Sequence, residues 1–391
     1  MIYRCPGCAG ALIYNPEKKG MTCKYCDQIF DVSKLKEEKE KDSARRDSFD
    51  VNIFSCTSCG AELMVNETEA STFCAYCGQP TVIFSRVSNE LRPDLCIPFS
   101  VTGEEAVEFI QKKFNNGLFI PSKLRNVKLD NLRGIYVPFW LNDVKIHEMA
   151  NVTATTGHGK DEKSYSFFRD AETTYSKITT DASQQLSDEL TLRLEPYDFK
   201  ALKTFRPKYL SGFYADCFDL TEASAKETAL RRANEFIEAD ILQSVGGYER
   251  KEITGKAYRS EILKTSYALL PAWFMTFKYH RKIYTILVNG QTGKVVGNIP
   301  MNKQKIILSS IPLAVGLSVA LSLLNGVFIA LSMAFDSDIP LTIPVLIWYA
   351  ILNFFKRTSQ ELQDYRRKRK DFMSSNTISY IKERQENEWK P

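Results

Sequence analysis

The sequence predicts a multi-domain chain: two small four-cysteine ribbons, an α+β domain of mostly antiparallel strands, and a C-terminal transmembrane helical hairpin. Three observations predict it. Eight of the ten cysteines fall into four Cys-x-x-Cys pairs near the N-terminus. Residues 90–300 mix aromatic-rich strand patterns with two capped helix patterns. Residues 306–355 hold two uncharged apolar runs separated by Asp336-Ser337-Asp338. The divisions that follow are 1–30 for the first ribbon, 31–53 for a charged linker, 54–85 for the second ribbon, 90–300 for the α+β domain, 306–355 for the hairpin and 356–391 for a basic tail.

Cys5-Pro-Gly-Cys8 is followed after fourteen residues by Cys23-Lys-Tyr-Cys26, and Cys56-Thr-Ser-Cys59 after fourteen by Cys74-Ala-Tyr-Cys77. The second unit repeats the first at an offset of 51, and the flanks agree: CAGALIYN against CGAELMVN, CKYCDQ against CAYCGQ. Two such knuckles bring four thiolates around one tetrahedral ion, so Cys5, Cys8, Cys23 and Cys26 form one predicted Zn²⁺ site and Cys56, Cys59, Cys74 and Cys77 a second. Four thiolates leave no open position for water, which makes both sites structural. Gly7, Gly60 and Gly78 let the backbone turn around the metal, and Leu12-Ile13 and Leu63-Met64 read as short ribbon strands. Iron in a rubredoxin-like centre suits the same ligands. A redox Cys-x-x-Cys pair needs a βαβ setting, and none surrounds these cysteines.

Between the ribbons lies a run of interleaved charges, a solvated spacer that leaves the ribbons as two beads that need not pack together. Beyond them, Thr102 and Glu105 make a capping box for a helix with Ala106, Ile110 and Phe114 on one face, and a second helix runs from Thr221 to Gly246-Gly247. Strands are predicted in Gly134-IYVPFWLNDV, Tyr165-SFF, Gly212-FYADCFDL and Leu270-PAWFMTFKYH, with a hairpin over residues 281–300 whose turn residues are Asn289-Gly290 and Thr292-Gly293. Ile135-Tyr-Val-Pro138-Phe-Trp140 echoes Ala268-Leu-Leu-Pro271-Ala-Trp273, a hint of two related strand units. The aromatic residues read as sheet core.

Catalysis finds little support. Of three histidines, His147, His158 and His280, none has a second histidine at helical spacing, and there is no Gly-x-Ser-x-Gly elbow. Gly290-Gln-Thr-Gly293-Lys294-Val295 lacks the spacing and hydroxyl of a phosphate-binding loop, which excludes a helicase. Cys96 and Cys217 read as small core residues. The expectation is a protein that is not an enzyme.

The run from Ile306 to Phe335 is thirty residues without a charge and that from Ile339 to Phe355 is seventeen. About twenty apolar residues cross a bilayer as a helix. A turn at Asp336–Asp338 keeps carboxylates out of the hydrocarbon and puts Pro340 in the first turn of the second helix. Lys303 and Lys305 flank one side, and Lys356, Arg357 and Arg366–Lys370 the other, so both termini are expected in the cytoplasm of a multi-pass protein of the cell membrane. The start MIYRCPGC has no apolar signal-peptide region. A net charge of +5 belongs partly to the basic cluster beside the membrane, where anionic lipid is its expected partner. Residues 51–85 contain no Lys or Arg, which argues against nucleic acid.

The ribbons, through their four Cys-x-x-Cys pairs, resemble the zinc ribbon of general transcription factors, RNA polymerase subunits and the primosomal helicase. That resemblance implies a fold and no activity. The whole order of elements, with Gly134-IYVPFWL, Leu270-PAWFMTFKY and Val288-NGQTGKVVG, resembles a family of bacterial membrane proteins labelled TFIIB-type zinc-ribbon proteins, some of them misleadingly as primosomal or phage replication proteins. The resemblance implies a partner-recruiting role in envelope stress, alongside phage-shock-like and flotillin-like proteins. The expected function is therefore a membrane-anchored zinc-ribbon adaptor that recruits cytosolic proteins to the membrane. The alternative is a membrane-tethered nucleic-acid-binding protein. Homo-oligomerisation is left open.

Overall fold

The computed structural model describes residues 3–33, 35, 48–65, 74, 76–77, 79, 82–115, 132–157, 161–183, 188–279 and 282–297, together with Leu323 and Gly326. Those up to 297 belong to one compact unit, whereas Leu323 and Gly326 belong to a second. Residues 36–47 of the charged linker, His158, His280, the basic tail and the rest of the predicted hairpin lie outside the described residues, whereas residues 48–53, predicted as the end of that linker, are the start of a strand. Among the described residues, no helix is long and apolar enough to cross a membrane.

The first ribbon is a three-stranded antiparallel sheet of β1 (Leu12–Asn15), β2 (Gly20–Cys23) and β3 (Ile29–Phe30). The second begins with β4 (Ser48–Cys56) and β5 (Glu62–Val65), and β4 also pairs along its length with β6 (Val82–Leu91). Then come β7 (Leu95–Cys96), α1 (Gly103–Asn115), β8 (Leu132–Thr156), β9 (Lys163–Asp181), α2 (Asp188–Leu194), β10 (Lys203–Thr204) and β11 (Tyr214–Asp216). The described order closes with α3 (Glu222–Ser244), β12 (Arg250–Tyr279), β13 (Lys282–Asn289) and β14 (Val295–Gly297). Strands β4 to β14 form one large, mostly antiparallel sheet with the central order β10-β7-β12-β8-β11-β5-β4-β6.

This order corrects the expectation of two independent beads. Strand β5 pairs with β11 over Leu63–Val65, so the second ribbon continues the main sheet. The first ribbon rests on the body: the Tyr14 amide donates to the Ser211 carbonyl at 3.0 Å, Tyr14 meets Tyr209 edge-on at 5.5 Å, and Leu12, Tyr14 and Met21 join a core with Tyr136, Tyr209 and Phe213. The cause lies in the strand faces. Ile53, Leu63, Met64 and Val65 are all buried, more apolar surface than a lone ribbon can cover.

The sequence echo proves to be a duplicated βαββ unit. In the first copy β7, α1, β8 and β9 follow one another, and in the second β11, α3, β12 and β13 do. The long strands β8 and β12 pair antiparallel around a local two-fold through the facing residues Val137 and Leu270. Each short strand lies parallel to the long strand of the other copy: Leu95↔Ala268 and Cys96↔Leu269 against Tyr214↔Ile135 and Ala215↔Tyr136. Hydrogen bonds repeat too. Trp273 Nε1 donates to the Val101 carbonyl at 3.0 Å, and Trp140 Nε1 donates to the Leu220 carbonyl at 3.1 Å. The Gly290 carbonyl accepts from the Ser100 and Val101 amides as the Ala182 carbonyl accepts from Asp219 and Leu220. The Gly290 amide donates to the Pro271 carbonyl as the Ala182 amide does to Pro138.

Both helices start as the sequence indicates. Thr102 and Glu105 exchange bonds at 2.7 and 3.2 Å, and Thr221 accepts from the Ser224 amide at 3.3 Å. α1 buries Ala106, Ile110 and Phe114. α3 lies over the arm formed by β8, β9 and the first half of β12, with Ala229, Ala233, Phe236 and Ile237 against Val144, Ile146, Ala150 and Val152. Glu148 sits in the middle of that apolar stripe. It is fully buried, neither carboxylate oxygen has a hydrogen-bond partner among the described residues, and burial first, then the Glu238 charge, pushes its carboxyl above the usual range. The predicted hairpin is β13–β14, closed by Asn289, whose Oδ1 accepts from the Gln291 and Thr292 amides.

Candidate metal centres

Each predicted cysteine set comes together. In the first cluster Cys5 and Cys26 Sγ are 3.6 Å apart, Cys8 and Cys23 3.4 Å, and Cys8 and Cys26 3.5 Å. In the second, Cys56 and Cys77 are 3.6 Å apart and Cys59 and Cys74 3.7 Å. A tetrahedron with metal–sulfur bonds of about 2.3 Å has edges of about 3.8 Å. These five edges lie within a few tenths of an ångström of that length, and all four sulfurs of each cluster lie within 4.8 Å of one another. Among the described residues no other group of Cys, His, Asp or Glu converges in this way. All ten cysteines are free of disulfides.

The knuckles are built by the same local bonds in both copies. The Cys5 amide donates to the Gly10 carbonyl at 2.7 Å and the Ala9 amide to the Cys5 carbonyl at 2.8 Å; Cys56, Ala61 and Gly60 repeat this at 2.9 and 2.8 Å. The Cys23 amide donates to Gln28 at 3.0 Å, as Cys74 does to Gln79 at 2.8 Å. The tight residue is Ala9 at φ 57° or Gly60 at φ 77°, so Gly7 is not the one that makes the first turn. Gly7 is small for a different reason: a Cβ there would stand 2.8 Å from Gln28 Oε1. Gly78 lies outside the described residues.

The thiols are electrostatically unequal. Backbone amides of Tyr25 and Cys26 directed at the Cys23 sulfur lower it to about 7, whereas burial raises Cys74. A cation at either centre favours the thiolate in all four ligands.

The two clusters differ most in what surrounds them. Tyr25 and Tyr76 hold the same place in the second knuckle of their ribbons. Tyr25 is 80% exposed, and Ile29 of the same ribbon is 52% exposed. Tyr76 instead packs edge-on against Phe274 at 5.4 Å and sits among the buried residues of the main sheet. Beside it Asp216 is buried, one carboxylate oxygen lacks a partner among the described residues, and burial pushes its carboxyl up to about 7. Sequence reasoning singled out neither Tyr25 nor Asp216. The identical Cys-x-Tyr-Cys strings carry no sign of which tyrosine is covered.

The remaining residues considered for chemistry stay apart. His147 lies on β8, with Nε2 2.6 Å from Asp170 Oδ1 on the exposed face of the arm. Cys96 is buried in the core and Cys217 packs against it, as expected, and burial raises both thiols.

Fold and clusters together define a protein with two tetra-cysteine metal-binding centres carried on a duplicated, mostly antiparallel α+β scaffold. The chain is 29% identical over 332 residues, 83% of its length and 97% of the relative's, to a protein of Bacillus subtilis (strain 168) described as "Uncharacterized protein YdjG". No family model matches the chain, and no solved structure matches it.

Proposed function

We propose that the chain is a non-enzymatic adaptor, anchored in the cell membrane by residues 306–355 with both termini in the cytoplasm, that recruits a cytosolic protein through its first ribbon. Zn²⁺ fills both centres. The observation that carries this reading is the contrast between Tyr25 and Tyr76. An aromatic side chain held out from a metal-braced turn contributes contact area at little entropic cost, the property of a binding hot spot. The second ribbon, committed to the sheet, is structural. The resemblance described above supplies the class of partner, phage-shock-like or flotillin-like membrane-associated proteins.

The test is affinity isolation of the full chain from detergent-extracted membranes, comparing wild type with Tyr25→Ala/Ile29→Ala. The expected result is loss of a specific co-purifying protein with metal content and thermal unfolding unchanged. An identical set of co-purifying proteins would sink the recruiting role. Metal analysis of the same material is expected to return two zinc ions per chain, and iron in their place would overturn the assignment.

A further inference from the structure

A cleft of about 420 Å³ opens beside the first ribbon, lined by Ser33, Leu35, Arg92, Thr204, Phe205 and Arg206. Its walls come from three distant stretches of chain: the tail of the ribbon, the segment between β6 and β7, and the end of β10 with the residues that follow it. Each is fixed. Lys208, itself fully buried, donates from Nζ to the Leu35 carbonyl and ties the ribbon tail to the body. The Phe205 amide donates to the Asp94 carbonyl at 3.0 Å, and Thr204 pairs with Leu95 in the sheet. The Arg206 amide is directed at the Cys96 sulfur.

The lining is cationic and amphiphilic. Two of its six residues are arginines, both half-buried, and none is acidic. Phe205 is a buried floor, edge-on to Phe49 at 5.6 Å, and Leu35 adds a partly buried apolar wall. Next to the lining in sequence, Asp31 accepts both the amide and the hydroxyl of Ser33 at its Oδ1, at 2.8 and 2.7 Å. Among the described residues no carboxylate pairs with Arg206. Guanidinium forks match phosphate oxygens bidentately, and a cleft of this size holds more than a bare ion.

We infer that this cleft binds an organic phosphate, its phosphate between Arg92 and Arg206 with the Thr204 hydroxyl as a further donor, its organic part against Phe205 and Leu35. A soluble phosphate ester and a phospholipid headgroup share that chemistry. The inference is independent of the recruiting role.

Isothermal titration of the full-length, metal-loaded chain decides it, with glycerol 3-phosphate as one probe and monomeric dihexanoylphosphatidylglycerol as the other. Dihexanoylglycerol, which lacks the phosphate, controls for the acyl chains, and equal binding of it overturns the headgroup assignment. Saturable binding of glycerol 3-phosphate assigns a soluble ester, and saturable binding of the glycerol lipid alone assigns a headgroup. In either case Arg206→Gln is expected to weaken binding by about tenfold or more, the loss of a hydrogen bond to a charged group, and Arg206→Lys by less. Arg92→Gln is the second variant should Arg206→Gln unfold at lower temperature or lose metal. Absence of saturable binding by both phosphate probes, or binding unchanged in the folded arginine variants, overturns the inference.

Discussion

Removing the metal from the two centres is expected to have very different consequences. Cys59→Ser/Cys77→Ser frees the second ribbon, and with it the strand pairing of β5 with β11. Ile53, Leu63, Met64 and Val65, all buried, then lose their cover. At roughly 1.5–3 kcal/mol for each such side chain, the upper bound is about 6–12 kcal/mol, and a compact unfolded reference reduces it by about 10–40%. That remains comparable to the whole stability of a domain, about 5–15 kcal/mol. Cys8→Ser/Cys26→Ser acts on a ribbon whose three strands pair only with one another and which meets the main sheet through side chains and the Tyr14–Ser211 bond. The body is therefore expected to persist. The assay is thermal unfolding followed by tryptophan fluorescence, since Trp140 and Trp273 both report on the centre of the sheet, combined with limited proteolysis and metal counting. The first-ribbon variant should retain one metal, keep the tryptophan transition within a few degrees and become cleavable within residues 1–47. The second-ribbon variant should lose the transition altogether. Equal shifts in the two variants, or the reverse order, would refute the reasoning.

Four further outcomes follow from single residues. Ala9→Gly should tighten metal retention at the first centre and Gly60→Ala loosen it at the second. An L residue in the left-handed region costs about 1–2 kcal/mol, and at Gly60 no atom lies within 4 Å of an added Cβ, so backbone strain alone is read out by chelator competition. Asp216 has a carboxyl raised from 3.8 to about 7. Its native form therefore holds the proton longer than the unfolded chain, and stability falls as pH rises through that window. Three units correspond to about 4 kcal/mol, so Asp216→Asn should stabilise the protein at pH 8 by up to that order and flatten the decline that runs from the unfolded value of 3.8 up to about 7 in denaturant titrations. Glu148→Leu should raise the unfolding temperature at neutral pH, because a buried carboxyl without a partner costs about 1–3 kcal/mol, and a lowered transition would show that Glu148 has a compensating contact.

What the sequence made legible is what short-range chemistry writes. Cysteine spacing carries both metal centres because tetrahedral ligation fixes ligand separations along the chain. The Thr102/Glu105 box, the Thr221 cap and the Asn289 turn are likewise local hydrogen-bond devices, and all three stand in the structure. The long strands were only partly visible. In β9 the residues from Lys163 to Thr174 are all exposed or half-exposed, so beyond the Tyr165-SFF string little apolar patterning marks the arm until Tyr175, Ile178 and their neighbours turn inward. The first half of β12 is similarly charged. α2 is seven residues long, too short for a helical period to register. Docking of the ribbons escaped detection because it depends on which face of Leu63–Val65 meets β11, a long-range fact.

The duplicated scaffold explains why the two ribbons have separate fates. A two-fold arrangement of β7-β12-β8-β11 leaves two equivalent outer edges, at β7 and at β11. Exposed edges invite pairing with other chains and are normally covered. On one side β5 of the second ribbon covers β11 over three residues; on the other β10 covers β7 over two. Covering the longer edge needs a strand with its own support, which metal ligation at Cys56 and Cys59, between β4 and β5, supplies without a large core. The second ribbon is thereby consumed as an edge strand and its knuckle tyrosine turns inward. The first ribbon has no such edge to fill. It lies over Tyr209 and Phe213 instead, so its second knuckle with Tyr25 projects to solvent, and its tail is the one that walls the arginine cleft. Exposure of the first ribbon is thus a consequence of where the symmetry of the body ends, and the variants at Tyr25 and at Arg206 probe two faces of the element that symmetry leaves over.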